Sequence, residues 1–305
     1  MDVKRLDLLR ELSERGSVTA VADAVGRSPS AVSQQLKVLE REAGVPLTER
    51  SGRGLALTSA GFALARAATD VAVALERASA VWDEFRNHPS GEVTVLTFPT
   101  AGATLLPGVI TELSEVTGLV VRCTDLDPEL AEFPALTADY DIVLAHQMPG
   151  ELPWGGRGLK AVPLMVEPLD IGVPAGHPLA AKAALTPEDV VDETWIAVPS
   201  GFPFERILHS IEQAAGRRIR VGQRLSDMRM IEAFVEAGHG IAFIPRYTTG
   251  SASPGVVLRP LRGVTSARQV VALMRPDAAE RLAVRTVLDV IVARAERIAA
   301  AHADG

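Results

Sequence analysis

Between Ser28 and Arg41 one side of the chain collects Ser28, Ser30, Ser33, Gln34, Lys37 and Arg41. On a helix these residues share a face, and its N-terminal end is small or amide-bearing where an ordinary surface helix favours Glu and Lys. A glutamine so placed can pair bidentately with an adenine edge in the major groove. No acid occurs between Asp23 and Glu40, which removes repulsion from phosphates. Further on, Arg53 stands between Gly52 and Gly54, where an exposed guanidinium can reach a phosphate or a narrow minor groove. The chemistry on offer is recognition of nucleic acid; the plain alternative is a solvated helix surface and a loop arginine.

Those side chains need elements to hold them. Leu6, Leu8, Leu9 and Leu12 recur at helical spacing and Gly16 follows as a stop. Ser17 is a good N-cap for a second helix reaching Val25, and Gly26 ends it. Ser28-Pro29 then opens a third helix, with proline at its first position, that closes at Gly44 and Pro46. Val32, Leu36, Leu39 and Ala43 form its apolar side, opposite the polar face. Two short helices across a tight turn make a helix-turn-helix pattern, whose second helix reaches base edges with its N-terminal end. Apolar alternation at Leu55 and Leu57 predicts a small hairpin with Arg53 at its tip.

The run from Ser28 to Leu47, followed by Glu49-Arg50, Gly52-Arg53-Gly54, Leu57-Thr58 and Ala60-Gly61, resembles the N-terminal domain of the LysR-type transcriptional regulators. The resemblance covers roughly sixty residues and is specific in combination. It implies a winged helix-turn-helix in which Ser28, Ser30, Ser33, Gln34, Lys37, Arg50 and Arg53 contact double-stranded operator DNA. The chain departs from the family pattern in three places. Thr48 stands where the family usually has Phe, Gln34 where Arg is frequent, and Ser59 where Pro is frequent.

From Thr58 to about Asn87 the chain predicts one long helix, about 45 Å by its rise per residue. Leu64, Ala68, Val71, Leu75, Ala78, Trp82 and Phe85 repeat along it in 4-3-4 alternation, a heptad seam suited to a second copy. Packing against its own domain is the alternative. In the family this segment is the linker helix that pairs subunits, which implies a homodimer or homotetramer on a partly palindromic site.

His88-Pro89-Ser90-Gly91 is a turn-rich break. Domains are therefore expected at 1–58, 59–88 and 89–305. Beyond the break, nine apolar runs alternate with four helical stretches, predicting an α/β domain with mainly parallel strands. Ligands of such sheets sit outside strand carboxyl ends, near helix N-termini. The loops holding Thr100 and Ala101, His146, Ser200, Gly201 and Phe202, and Met228 resemble those lining the cleft of the LysR-type effector domain, a two-lobed α/β fold like type II periplasmic binding proteins. These residues are the expected effector contacts. With no Lys or Arg in those loops, the effector is expected to be small, partly apolar and at most singly acidic, held by amides, Thr100 and Ser200.

The 305 residues carry a net charge of −7, which argues against a chain that wraps nucleic acid along its whole length. A small DNA-reading module on an acidic domain gives the same sum. Cys123 is the only cysteine, excluding disulfide frameworks and cysteine-rich zinc sites. No serine-hydrolase elbow, zincin motif or phosphate loop occurs, and the six histidines lack metal-ligand spacing. No catalytic residue, metal or cofactor is expected. The charged start, Met1 to Asp7, lacks the apolar core of a signal peptide, and no run suits a bilayer span, so a cytoplasmic protein without membrane contact is predicted. The resemblance adds RNA polymerase as a further partner. An enzyme or transport-type binding protein with an accessory helical bundle is the competing reading; it leaves the Ser28–Lys37 face, the Arg53 turn and the heptad seam as coincidences.

Overall fold

A computed structural model describes residues 1–51, 54–86, 89–151, 154, 158–202, 204–248 and 253–303. The head is built from α1 (Val3–Arg15), α2 (Val18–Ala24), α3 (Pro29–Ala43), β1 (Thr48–Ser51) and β2 (Gly54–Leu57). Local chemistry sets each helix boundary. Ser17 Oγ accepts from Ala20 N at 3.0 Å, Ser28 Oγ accepts from Ala31 N at 3.2 Å, and Gly16 and Gly44 end α1 and α3 in the left-handed conformation. Leu9, Leu12, Val21, Val32, Leu36 and Leu39 converge in one buried core. β1 and β2 pair antiparallel as the predicted hairpin.

Thr48 has a definite role at the root of that hairpin. Glu40 Oε1 accepts from Leu47 N, Thr48 N and Thr48 Oγ1 at 2.8–2.9 Å. A polar clamp thus ties the end of α3 to the wing. Gly61 is required next to it, because a Cβ there would lie 2.1 Å from the Leu47 carbonyl oxygen.

α4 (Ser59–Phe85) starts where Thr58 Oγ1 accepts from Gly61 N at 3.0 Å. The predicted seam divides along its length. Leu64 and Ala68 pack into the core of the head, and Val71 is half-buried. Leu75, Ala78, Trp82 and Phe85 are exposed, and the Trp82 and Phe85 rings stack at 5.7 Å.

The rest of the chain forms β3 (Gly91–Thr97), α5 (Pro99–Leu113), β4 (Leu119–Asp125), α6 (Phe133–Leu136), β5 (Ile142–Gln147) and β6 (Lys160–Pro174). Then follow α7 (Pro187–Val190), β7 (Thr194–Ala197), α8 (Phe204–Ala215), β8 (Arg220–Arg224), α9 (Met228–Glu236), β9 (Ala242–Pro245), β10 (Val256–Arg259), β11 (Ala267–Met274) and α10 (Leu282–Ala303). α5 begins four residues before the predicted Ala103, because Pro99 takes the first helical position after an extended Phe98.

The main sheet runs β10-β6-β11-β5-β3-β4, with β9 also on β6. β3 pairs parallel with β4 and β5, but β11 pairs antiparallel with β5 and β6, and β6 antiparallel with β9 and β10. The expected mainly parallel sheet is therefore corrected to a mixed one. Alternation of strands and helices carries no strand direction, and the two long strands β6 and β11 run against each other through the middle. One lobe packs β3, α5, β5 and α10 around Val95, Leu105, Leu144 and Val287. The other packs the far half of β6, β7, α8 and β9 around Trp195, which is fully buried.

Candidate DNA-reading face and effector cavity

On α3, Ser28, Ser30, Gln34 and Lys37 are exposed and Ser33 is half-buried, while Val32, Leu36 and Leu39 are buried beneath them. The helix is thereby fixed in rotation with its polar face outward. Ser28 Oγ lies 3.0 Å from Ser30 Oγ, which pins both hydroxyls at the helix start. Gln34 carries no hydrogen bond among the described residues, in contrast to its neighbour Gln35, which accepts from Arg5 Nε at 3.0 Å. Arg27, Lys37, Arg41 and Arg50 are exposed and form no ion pair among the described residues. Residues 1–58 carry net charge +1 and the remainder −8, so the positive charge of the molecule is concentrated at this end. Arg53 lies outside the described residues.

The second site is a cavity of about 80 Å³ between the lobes. From the first lobe come Phe98, Thr100, Asp127, His146 and Arg268; from the second, Val198, Phe202, Phe204, Ser226, Asp227 and Met228. Of the residues expected from the sequence, Thr100, His146, Phe202 and Met228 line it. Ala101 is buried in the first-lobe core, and Ser200 and Gly201 sit outside the lining, bonded to the Glu205 carboxylate at 3.0 and 3.2 Å.

Arg268 corrects the expectation of a cleft without cations. It enters from the start of β11 and is 3% exposed. Its Nε donates to Glu167 Oε2 at 2.8 Å, and its Nη2 donates to Thr100 Oγ1 and Thr248 Oγ1 at 2.8 and 2.7 Å. The guanidinium stacks over Phe98, 4.8 Å from the ring centre. Glu167 is fully buried and also accepts from the backbone of Tyr247 and Thr248, so its charge is met on every side. Arg206 and Arg224 do not line the cavity and instead meet Glu151 and the Val198 carbonyl.

His146 packs edge-on against Phe98 and Phe133 at 4.7 and 5.7 Å. Its Nδ1 is buried with no partner among the described residues, and its Nε2 lies 3.9 Å from Asp127 Oδ1, beyond a direct hydrogen bond. Burial, the dominant cause, holds its pKa below the usual histidine range; Asp127 opposes this and Arg268 reinforces it. The ring is neutral at pH 7.

Arg268, Glu167 and Asp127 were missed by sequence reasoning, though each left a mark. Glu167 and Arg268 are lone charges in strands otherwise rich in apolar residues, a pattern that demands a buried partner. Asp127 follows the carboxyl end of β4, the same setting as Thr100 after β3.

An ionic network joins head to first lobe. Arg275 Nη1 meets Glu11 and Glu14 at 2.8 Å each; Arg10 Nη1 meets Asp277 at 2.9 Å; Arg15 meets Asp139 at 2.6 Å. It lines a cavity of about 240 Å³. Among the described residues no group of side chains suits a metal, and no helix is long and apolar enough to cross a membrane.

A reading helix with uncommitted donors, joined by ion pairs to a two-lobed domain that encloses a polar-aromatic cavity, defines a DNA-binding regulator with an effector-binding domain. Residues 3–62 match the bacterial regulatory helix-turn-helix proteins of the lysR family, and residues 86–296 match the LysR substrate binding domain. The chain belongs to the LysR family of transcriptional regulators. It is 26% identical over 278 residues to the transcriptional dual regulator GltC of Bacillus subtilis, covering 90% of this chain and 91% of that one. A probable RuBisCO transcriptional regulator of Trichormus variabilis is 24% identical over 280 residues, covering 90% and 82%. Among solved structures, full-length OxyR from Pseudomonas aeruginosa superposes with TM-score 0.62 at 20% identity, covering 96% and 98%. Full-length CbnR in complex with its target DNA superposes with TM-score 0.54 at 22% identity, covering 97% and 100%.

Proposed function

We propose that residues 1–58 read an operator, residues 59–88 join two copies, and residues 89–305 answer to a small effector held between the lobes. The observation that carries the reading is the outward face of α3: Gln34 and Lys37 are exposed and uncommitted, while most arginines of the effector half are engaged by acids or carbonyls. Ser28, Ser30 and Ser33 flank Gln34 at the helix start, and Arg50, together with Arg53, takes phosphate or the minor groove. The exposed stretch from Leu75 to Phe85 supports pairing of two copies, as a dimer or a tetramer, on two half-sites about one helical turn apart. The effector site is the cavity around Thr100, His146, Phe202 and Met228.

The chain acts by binding and not by catalysis, works in the cytoplasm and engages RNA polymerase at the promoter. What supports this is the absence of catalytic motifs from the sequence together with the family it belongs to. Footprinting upstream of the neighbouring genes, with and without candidate metabolites, tests the whole reading. Two protected half-sites whose spacing or bend changes with one metabolite are expected; no protected region would remove it.

A further inference from the structure

We infer that the interlobe cavity takes a small zwitterion, an α-amino acid with a short apolar side chain, its carboxylate at Thr100 and Arg268 and its ammonium at Asp127. The inference rests on the effector reading above and supplies its chemistry. The cavity wall makes two opposite demands. First, α5 starts without a side-chain cap, so the Thr100 amide has no intrahelical acceptor. Arg268 Nη1 makes no hydrogen bond among the described residues, although Nε and Nη2 are both engaged. Thr100 and Arg268 thus offer donors and positive charge to an anionic group.

Second, Asp127 is partly exposed and accepts no hydrogen bond among the described residues. His146 Nε2 lies 3.9 Å from it, and His146 Nδ1 has no partner among the described residues. A carboxylate that accepts no hydrogen bond demands a donor, and a cation best satisfies it.

The charge balance excludes simpler ligands. Glu167 already neutralises Arg268, so Asp127 and Asp227 leave the wall net negative. A bare carboxylate would satisfy the Thr100 amide while facing Asp127. A bare amine would pair with Asp127 while leaving the Thr100 amide and Nη1 idle. A zwitterion meets both. At the ~10–15 Å³ a water-sized group requires, a cavity of about 80 Å³ has room for roughly five to eight heavy atoms. Phe202, Phe204 and Met228 receive the apolar side chain.

Calorimetric titration of the full-length protein at pH 7 with L-alanine, propionate and L-alaninamide separates the cases. Alanine is expected to bind at least tenfold more tightly than either of the others. Asp127→Asn should erase its advantage over propionate, and Thr100→Val its advantage over alaninamide. Propionate binding as tightly as alanine, undiminished preference in Asp127→Asn, or no binding of alanine each overturns the zwitterion. The cavity itself is judged separately. A metabolite response in the footprint that Phe202→Ala abolishes keeps the effector site even if alanine fails, and a response untouched by Phe202→Ala removes the site.

Discussion

Arg275, at the end of β11, donates to Glu11 on α1 at 2.8 Å across 264 residues of chain, and both side chains are about one-tenth exposed. The pair joins the strand that carries Arg268 into the effector cavity to the first helix of the DNA-reading head. Arg10, Glu14, Arg15, Asp139 and Asp277 close the network around it. The head is therefore held to the first lobe by ion pairs, most of them withdrawn from water, an arrangement sensitive to the loss of a buried partner.

Arg275→Ala removes the first-lobe arginine from Glu11 and Glu14, leaving both carboxylates to Arg10 and Arg15 of their own helix. Removing one partner of a buried pair costs about 3–5 kcal/mol, so the docking of α1 on the first lobe should fail while each domain keeps its own core. Hydrogen exchange should quicken along α1 and residues 137–141, with β3 and β5 unchanged. Equal protection in α1 before and after the substitution would mean that apolar contacts alone hold the head in place.

Docking should also depend on pH. Burial is the main cause that raises the Glu14 pKa to about 7, with Glu11 and Asp277 adding to it and Arg10 and Arg15 opposing it. Arg275 faces the same carboxylate at 2.8 Å. Freed from this contact, Glu14 would titrate in the ordinary carboxylate range near 4.5. A raised acid binds its proton more tightly in the docked form, so docking is strongest below the free value and weakens as pH rises through about 7. Glu14→Gln should flatten that dependence between pH 5 and 8. The readout is head mobility by hydrogen exchange, corrected for intrinsic rate; parallel curves for both proteins would discard the assignment.

On operator DNA, Gln34→Ala should weaken specific binding by about 1–3 kcal/mol and relax base choice at one position per half-site. Arg53→Ala should weaken specific and non-specific binding alike and lower the salt slope by about one unit. Titrations at several salt concentrations distinguish the two signatures, and wild-type affinity in both variants would remove the reading face.

Leu75 is 49% exposed on α4, clear of the core that holds Leu64 and Ala68. Leu75→Asp should therefore shift the assembly toward monomer without unfolding the head, because its like-charged copy would lie close across the symmetry axis. Ala68→Asp, by contrast, should unfold the head itself. Sedimentation velocity paired with circular dichroism tells these outcomes apart, and an unchanged oligomer for Leu75→Asp would mean that this stretch makes no contact between copies.

What the sequence determined by itself is local. Ser17, Ser28 and Thr58 cap helices through their own side chains within three residues, Gly16 and Gly44 stop helices by adopting the left-handed conformation, and the period of Val32, Leu36 and Leu39 sets which way Gln34 faces. Family membership was legible for the same reason, because its motif is a run of such local signals between Ser28 and Gly61. Tertiary structure alone decided the direction of β11 against β6, the division of the α4 seam into a buried half and an exposed half, and the meeting of Arg268 with Glu167 across 101 residues. It also decided which strand-end residues share a cavity, bringing Thr100 and Asp127 into one lining while leaving Ser200 outside. The physical difference is range. Caps and periodicity act within a few residues and are written in order along the chain. Strand pairing and charge compensation depend on which distant segments come to lie side by side, and spacing along the chain does not encode that.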